Sequence, residues 1–294
     1  MRGTSPSRLK RLPVPVSKLQ SELLRLLASR RDPESFVAGG VAINRTGPRI
    51  SRDIDIFHDR EERVATTALE DAQILSDAGY AVSWLRQQPA IYSAAIASTT
   101  EETKLEWVAD SDFRFFPAVK DEEFGYVLHM ADLAVNKVMA AAGRREARDL
   151  VDLVTVHEQF LPLGAIVWAA VETAPGFTPE GLIAEIRRNA RYPAQAFAEL
   201  DALPPIDPVV VMRKLRAALD EAEEFVMAMP SEKAGTLFLK DGHPVQPDPS
   251  ALDQAVEHRG QRRGHWPTSP EIARAMLERY TPKPHGTNGQ NNCS

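Results

Sequence analysis

Residues 53–57 read Asp-Ile-Asp-Ile-Phe, which places charged side chains at alternate positions of a segment otherwise suited to a buried strand. In an extended chain side chains two apart share a face, so Asp53 and Asp55 are neighbours while Ile54 and Ile56 turn the other way. Asp is also a poor strand former. At about 6 Å and an effective dielectric of about 20, two carboxylates repel by roughly 2 to 3 kcal/mol, a sizeable share of a domain's stability. A divalent cation offsets that repulsion, and Mg²⁺ is typically held by one or two carboxylates with waters and substrate phosphates completing the shell. The structural alternative is an edge strand whose polar face lies in water.

The rest of the chain sets the frame in which such a strand sits. With 294 residues, 43% hydrophobic and 26% charged, it belongs to the ordinary globular class and is long enough for one large or two modest domains. A formal net charge of −6 argues against a uniformly basic nucleic-acid binder, while local basic patches remain open. The single cysteine, Cys293, excludes an internal disulfide or a Cys-based zinc site and fits a reducing compartment. The basic N-terminus is followed by no apolar stretch of signal-peptide length, and no run of 18 apolar residues occurs, so the expectation is a cytoplasmic protein with no membrane span.

Periodicity predicts a helix over 17–30, with Leu19, Leu23, Leu24, Leu26 and Leu27 at helical spacing and Ser17 as its cap. Phe36–Ala38 reads as a strand broken by Gly39-Gly40, where a short helix begins, and 49–57 reads as the next strand. Val64, Ala68, Leu69, Ala72 and Leu75 mark another helix that Gly79 stops. Strand-like runs follow at YAVSWLR, AIYSAAIAS and TKLEWVAD, then helices over 127–142 and from Arg145 to Phe160. Beyond Pro162 the pattern is helical, with Thr-Pro and Asp-Pro starts, a hairpin around Asp241-Gly242 weakened by Pro244, a capped helix in TSPEIARAMLERY and a tail of disordered composition. This order predicts an α/β fold, a sheet covered by helices, with a boundary near residue 160. The expected division is 1–160, 161–280 and a tail of 281–294.

Chemistry gathers around the aspartates. At Gly39-Gly40 the backbone N–H groups are free to approach a phosphate where a Cβ would interfere. A Gly-Gly turn, a short helix and Asp-Ile-Asp on a strand together suit one metal-bound triphosphate. Glu106, within KLEWV, is the candidate third carboxylate, with Asp110 and Asp112 in reserve; the alternative is an outward strand residue paired with Lys104 or a cross-strand cation. Lys137 lies on a mostly apolar helix and either reaches water or serves the site. Asp149 and Asp152 sit at i and i+3 after Arg144, Arg145 and Arg148, which reads either as a solvated charged face or as a basic patch for an anionic substrate such as RNA.

These motifs, GGVAINRTGPRISRDIDIF, ADLAVNKVMA and RREARDLVDL, resemble the nucleotidyltransferase-fold toxins of the bacterial abortive-infection type, including mycobacterial toxins that add nucleotides to tRNA. The match spans about residues 36–155 and leaves 165–294 uncovered. It implies a polymerase-β-like nucleotidyltransferase core, a mixed sheet with covering helices, followed by a mainly helical C-terminal region. By the resemblance Asp53 and Asp55 are the metal-binding pair, with Glu106 as a third ligand. Gly39 and Gly40 form the triphosphate turn, accompanied by Ser51 and Arg52. Lys137 contacts the nucleotide, and Asp149 or Asp152 is the late acidic residue needed for activity. Val41 stands where a small hydroxyl residue is frequent, which removes one phosphate hydrogen bond. The implied activity moves a nucleoside monophosphate from an NTP to the 3′ end of tRNA with Mg²⁺ or Mn²⁺, blocking aminoacylation and translation. A cognate antitoxin is the implied partner, and Arg144, Arg145 and Arg148 would steer the RNA. Two alternatives stay open: nucleotidylation of a protein or small molecule, and a non-catalytic protein that binds NTP or a partner.

Overall fold

The computed structural model describes residues 16–45 and 47–262. The expected helix within 268–280, the tail from residue 281 and Cys293 lie outside them. Ser17 caps α1 (Lys18–Leu27) reciprocally, its hydroxyl accepting from the Gln20 amide while the Gln20 side chain accepts from Ser17 N–H. Leu19, Leu23, Leu24 and Leu27 are buried, whereas Leu26 is 40% exposed. One position along a helix turns the side chain by about 100°, which carries Leu26 off the stripe that Leu27 completes. The same rotation exposes Leu69 in the later helix Glu61–Asp77.

After β1 (Ser35–Ala38) and α2 (Gly39–Ile43) comes β2 (Asp53–His58), then α3 (Glu61–Asp77), β3 (Ala81–Gln88), β4 (Ile91–Ala97) and β5 (Glu102–Ala109). Three pieces too short to show alternation follow, β6 (Phe113–Arg114), β7 (Val119–Asp121) and β8 (Gly125–Val127), and their pairing rather than their sequence defines them. The seven-stranded sheet runs β3-β4-β5-β2-β1-β8-β7. Its centre is β2, parallel to β5 and antiparallel to β1, so the sheet is mixed. Ile54 and Ile56 are each 1% exposed on the face covered by α1 and α3. Under α3, Arg31 Nη2 donates to both oxygens of Asp71 at 2.8 and 2.6 Å and Trp107 Nε1 donates to Asp71 Oδ2 at 2.8 Å, a polar knot within the apolar layer that satisfies the carboxylate while Arg31 Nε and Nη1 are buried with no hydrogen-bond partner.

On the other face lie α4 (Met130–Gly143) and α5 (Ala147–Gln159), followed by α6 (Leu163–Ala170), α7 (Pro179–Asn189), α8 (Ala194–Ala198) and α9 (Pro208–Ala228). Thr178 caps α7 through the Gly181 amide, and Asp207 caps α9 through Val209 and Val210. The hairpin at Asp241-Gly242 forms as β9 (Leu237–Lys240) and β10 (His243–Val245). Pro244 is tolerated because β10 is an outer strand of the small sheet β10-β9-β11, with β11 spanning Val256–His258. A last strand, β12 (Gln261–Arg262), pairs with β6. Thus a mixed sheet with covering helices leads into a mainly helical region. One apolar core runs through both halves.

Residues 199–203 form a strap across the loop that enters β2. Ile50 N–H donates to Asp201 O at 2.7 Å, Leu203 N–H to Pro48 O at 2.9 Å, and Arg49 pairs with Ala202 in an antiparallel bridge.

Because Ile54 is packed directly behind the two aspartates, Ile54→Ala is expected to lower unfolding free energy by about 2–5 kcal/mol, read from the urea midpoint at an unchanged slope.

Candidate active site

The alternation of β2 delivers Asp53 and Asp55 to one face, both half-buried and both lining a cleft of about 380 Å³. Ala38 is the direct strand partner of Asp55 across β1 and β2, so the turn after Ala38 meets that carboxylate. There Gly39 has φ +65°, and a Cβ added to it would stand 1.8 Å from Asp55 Oδ2. A Cβ at Gly40 would meet Arg49 Nη2 at 2.4 Å and Ser51 Oγ at 2.9 Å. Both glycines are therefore required by close approach, and both line the cleft.

Across β2 and β5, Asp55 and Glu106 are direct partners, which brings Glu106 into the same cleft. Glu106 also pairs with Lys104 at 3.1 Å, the ion pair expected by the alternative reading of this residue. Asp110 lines the cleft as well; Asp112 does not. Burial first, then the charges of Glu106 and Asp53, push the Asp55 carboxyl up to about 6. A hard cation relieves that crowding, and an all-oxygen donor set suits Mg²⁺ or Mn²⁺. Among the described residues no three His, Cys, Asp or Glu side chains converge closely enough to cage an ion by themselves. A cation at Asp53 and Asp55 would thus draw on waters and substrate phosphates for the rest of its shell, as Mg²⁺ commonly does.

The opposite wall comes from α4 and α5 and is basic. Lys137 is buried, and its Nζ lies 3.0 Å from Asp149 Oδ1 and 2.9 Å from Asp152 Oδ2. Asp152 also accepts from Arg49 Nε and Nη2 at 2.9 Å each and from Asn44 Nδ2 at 2.7 Å. Asp149 accepts from Arg144 Nε at 2.8 Å and Nη2 at 3.2 Å. Two carboxylates so hold three cations. Burial works to raise both acids, but Lys137 with Arg49 holds Asp152, and Arg144 with Lys137 holds Asp149, below the usual carboxylate range.

The two aspartates are fully buried behind the cleft wall and do not line it. A solvated charged face, one reading of RREARDLVDL, is therefore not what the fold makes, because Asp149 and Asp152 point inward to partners from α2, α4 and the loop before β2. Lys137 does not reach bulk water either. Ser51 lines the cleft, its Oγ donating to Asp53 O at 3.0 Å. Arg52 turns the other way, exposed, with Nε 2.5 Å from Asp201 Oδ2 and Nη2 donating to Glu199 O at 3.2 Å. Arg144 and Arg148 line the cleft, whereas Arg145 is exposed, donates to Arg191 O at 2.7 Å and lies 5.8 Å over the Tyr192 ring.

Sequence reading assigned no role to Arg49, Asn44, Asn136 or Met139. All four stood within the quoted motifs, Asn44 and Arg49 in the first and Asn136 and Met139 in the second. Asn136 and Met139 line the cleft from α4, and no spacing signal distinguishes them from other helix residues.

No family model matches the chain, and no curated protein matches it. Among solved structures, MenT4, a nucleotidyltransferase toxin from Mycobacterium tuberculosis, is similar at 17% identity over 73% of this chain and 83% of its own, with a TM-score of 0.47. A cytoplasmic RNA terminal U-transferase is similar at 15% identity over 54% of this chain and 43% of its own, with a TM-score of 0.25. The Cid1 poly(U) polymerase with MgGTP bound is similar at 14% identity over 53% and 44%, with a TM-score of 0.26. The chain spans less than half the length of the latter two. All three scores lie under 0.5, and support for an activity comes from the cleft itself.

Gly39→Ala is expected to displace the Asp55 carboxylate and, with a side chain forced into the left-handed region, to lower unfolding free energy by about 1–2 kcal/mol, read from the urea midpoint. Acid should also act through the buried pair. Asp149 and Asp152 have folded values below the ordinary 3.8, so the stability they contribute is present above 3.8 and is lost as pH falls through the lower folded values. Asp55, raised to about 6, works the other way between 3.8 and 6, which places the clean window below it. Urea unfolding should show the wild type losing stability between about pH 4 and pH 2, and Asp152→Asn, less stable at the start, losing less over that interval.

Proposed function

We propose that the chain is a magnesium-dependent nucleotidyltransferase that moves a nucleoside monophosphate from an NTP to the 3′-terminal hydroxyl of tRNA. The observation that carries this reading is the convergence of Asp53, Asp55 and Glu106 with the Gly39-Gly40 turn on one side of a cleft whose other side holds Lys137, Arg144 and Arg148. Carboxylates alone would suit a metal store, and cations alone an anion trap. Facing each other across about 380 Å³, they suit a metal-bound triphosphate, which needs both.

When bound, a divalent cation supplies charge neutralisation at the phosphates and helps ionise the attacking hydroxyl. The chain's own groups do the rest. Asp53 and Asp55 would hold that cation, with Glu106 beside Asp55 adding negative charge. Backbone N–H groups at Gly39 and Gly40 face the phosphate tail, with no Cβ to keep it away. Lys137, kept in place by Asp149 and Asp152, contributes its field from the wall rather than a loose ammonium. In the transfer the acceptor hydroxyl loses its proton to water in the cleft, a new P–O bond forms between its oxygen and the α-phosphorus, the bond from the α-phosphorus to the bridging oxygen breaks in line, and pyrophosphate departs with that electron pair. Asp149 and Asp152 are thus positioning residues.

Blocking the tRNA 3′ end would stop aminoacylation, which makes the protein a toxin restrained by a cognate antitoxin, acting in the cytoplasm. Among the described residues no single helix is long and apolar enough to cross a membrane.

Purified protein is to be given total tRNA, Mg²⁺ and each NTP labelled at the α-phosphate. Label is expected on RNA from the wild type, reduced by about a hundredfold or more in Asp53→Asn and Asp55→Asn, since the cation contributes several kcal/mol of charge stabilisation. Label on protein would move the assignment to protein nucleotidylation. No label with Mg²⁺ or Mn²⁺ would leave a binding protein.

A further inference from the structure

Among the described residues four cations line the cleft, and three of them are committed. Arg49, Lys137 and Arg144 are each held by buried Asp149 or Asp152 at distances of 2.8–3.0 Å. Arg148 differs. Its Nη1 lies 3.4 Å from Asp53 Oδ2, its Nε lies 3.9 Å from Glu146 Oε2, and neither carboxylate is buried. The Nε is itself buried with no hydrogen-bond partner. A guanidinium so placed is loosely tied and faces the cleft from the first turn of α5.

The carboxylate it leans on is one that the proposed function gives to the metal. A guanidinium and a divalent cation compete for Asp53 Oδ2, because both neutralise the same charge. Once the carboxylate is taken, Arg148 has lost its partner while still aimed into a cleft that receives a polyanion. Its fork geometry suits phosphate oxygens.

We propose that Arg148 is an exchangeable cation. Without nucleotide it shields Asp53 and weakens metal binding, and on arrival of the metal-bound NTP it transfers to the triphosphate tail. This rests on the nucleotidyltransferase reading, and it assigns Arg148 to nucleotide capture rather than to guiding RNA. The chain would then hold metal poorly by itself and well only together with NTP, so that metal and nucleotide load as one unit.

Mn²⁺ binding to the full chain, followed by the electron paramagnetic resonance signal of the free ion, separates the possibilities. Without nucleotide, Arg148→Gln should bind Mn²⁺ about two- to fivefold more tightly than the wild type, the range expected for removal of a partly exposed ion pair. With a non-hydrolysable NTP analogue present, the same variant should bind that analogue about tenfold or more weakly, as befits loss of a charged hydrogen bond. Arg148→Lys should restore part of the nucleotide affinity, and Arg145→Gln, whose guanidinium lies outside the cleft, should change neither value. Thermal unfolding of each variant checks the fold, and Arg148→Ala replaces Arg148→Gln if the latter is unstable. Mn²⁺ affinity unchanged or weakened in the Arg148 variants, while Asp53→Asn abolishes it, would overturn the exchange and leave the nucleotidyltransferase reading standing. Mn²⁺ affinity unaffected by Asp53→Asn would overturn both.

Discussion

Asp152 accepts hydrogen bonds or ion pairs from Asn44, Arg49 and Lys137, which reach it from α2, the loop before β2 and α4. Everything else in the cleft depends on that convergence. A charge buried without partners is very unfavourable, and a buried pair broken on one side leaves its survivor stranded. Here the set is complete, so the three elements are constrained to a single arrangement. Asp149 extends it to Arg144 and shares Lys137. The basic wall is therefore rigid for the same reason that its charges are tolerable.

The acidic wall is built on the opposite principle. Asp53, Asp55 and Glu106 are left with too little positive charge nearby, and Asp55 registers this in its elevated affinity for a proton. Arg148 apart, the cations on one side of the cleft are closely paired, and the carboxylates on the other are not. Ligands that bring positive charge to the second and negative charge to the first are selected by the contrast, while the glycines at the end of β1 keep the floor open for them.

Much of this was legible in local order. Asp-Ile-Asp-Ile carries its own register, since a strand of period two has only one way to bury both isoleucines, and the glycine pair announces a turn that no other residue would fit. What escaped was decided by partners far along the chain. Spacing of i and i+3 is the same whether Asp149 and Asp152 face water or the interior, and for Asp152 it is Asn44 and Arg49, more than 100 residues away, that settle it. Arg52 stands beside Asp53 in sequence, yet Asp201 draws it to the outside. Leu26 and Leu69 looked like core residues because single leucines next to a true stripe blur its edge.

The strap of residues 199–203 joins the helical half to the loop that carries Arg49 through main-chain bonds. Backbone pairing of this kind transmits displacement without any change of side chain. A body seated on the outer side of the strap would lean on Ile50 and so on the guanidinium that grips Asp152. The second half of the chain is thereby a handle fixed to the basic wall, and a body seated on it need not enter the cleft to disturb its alignment.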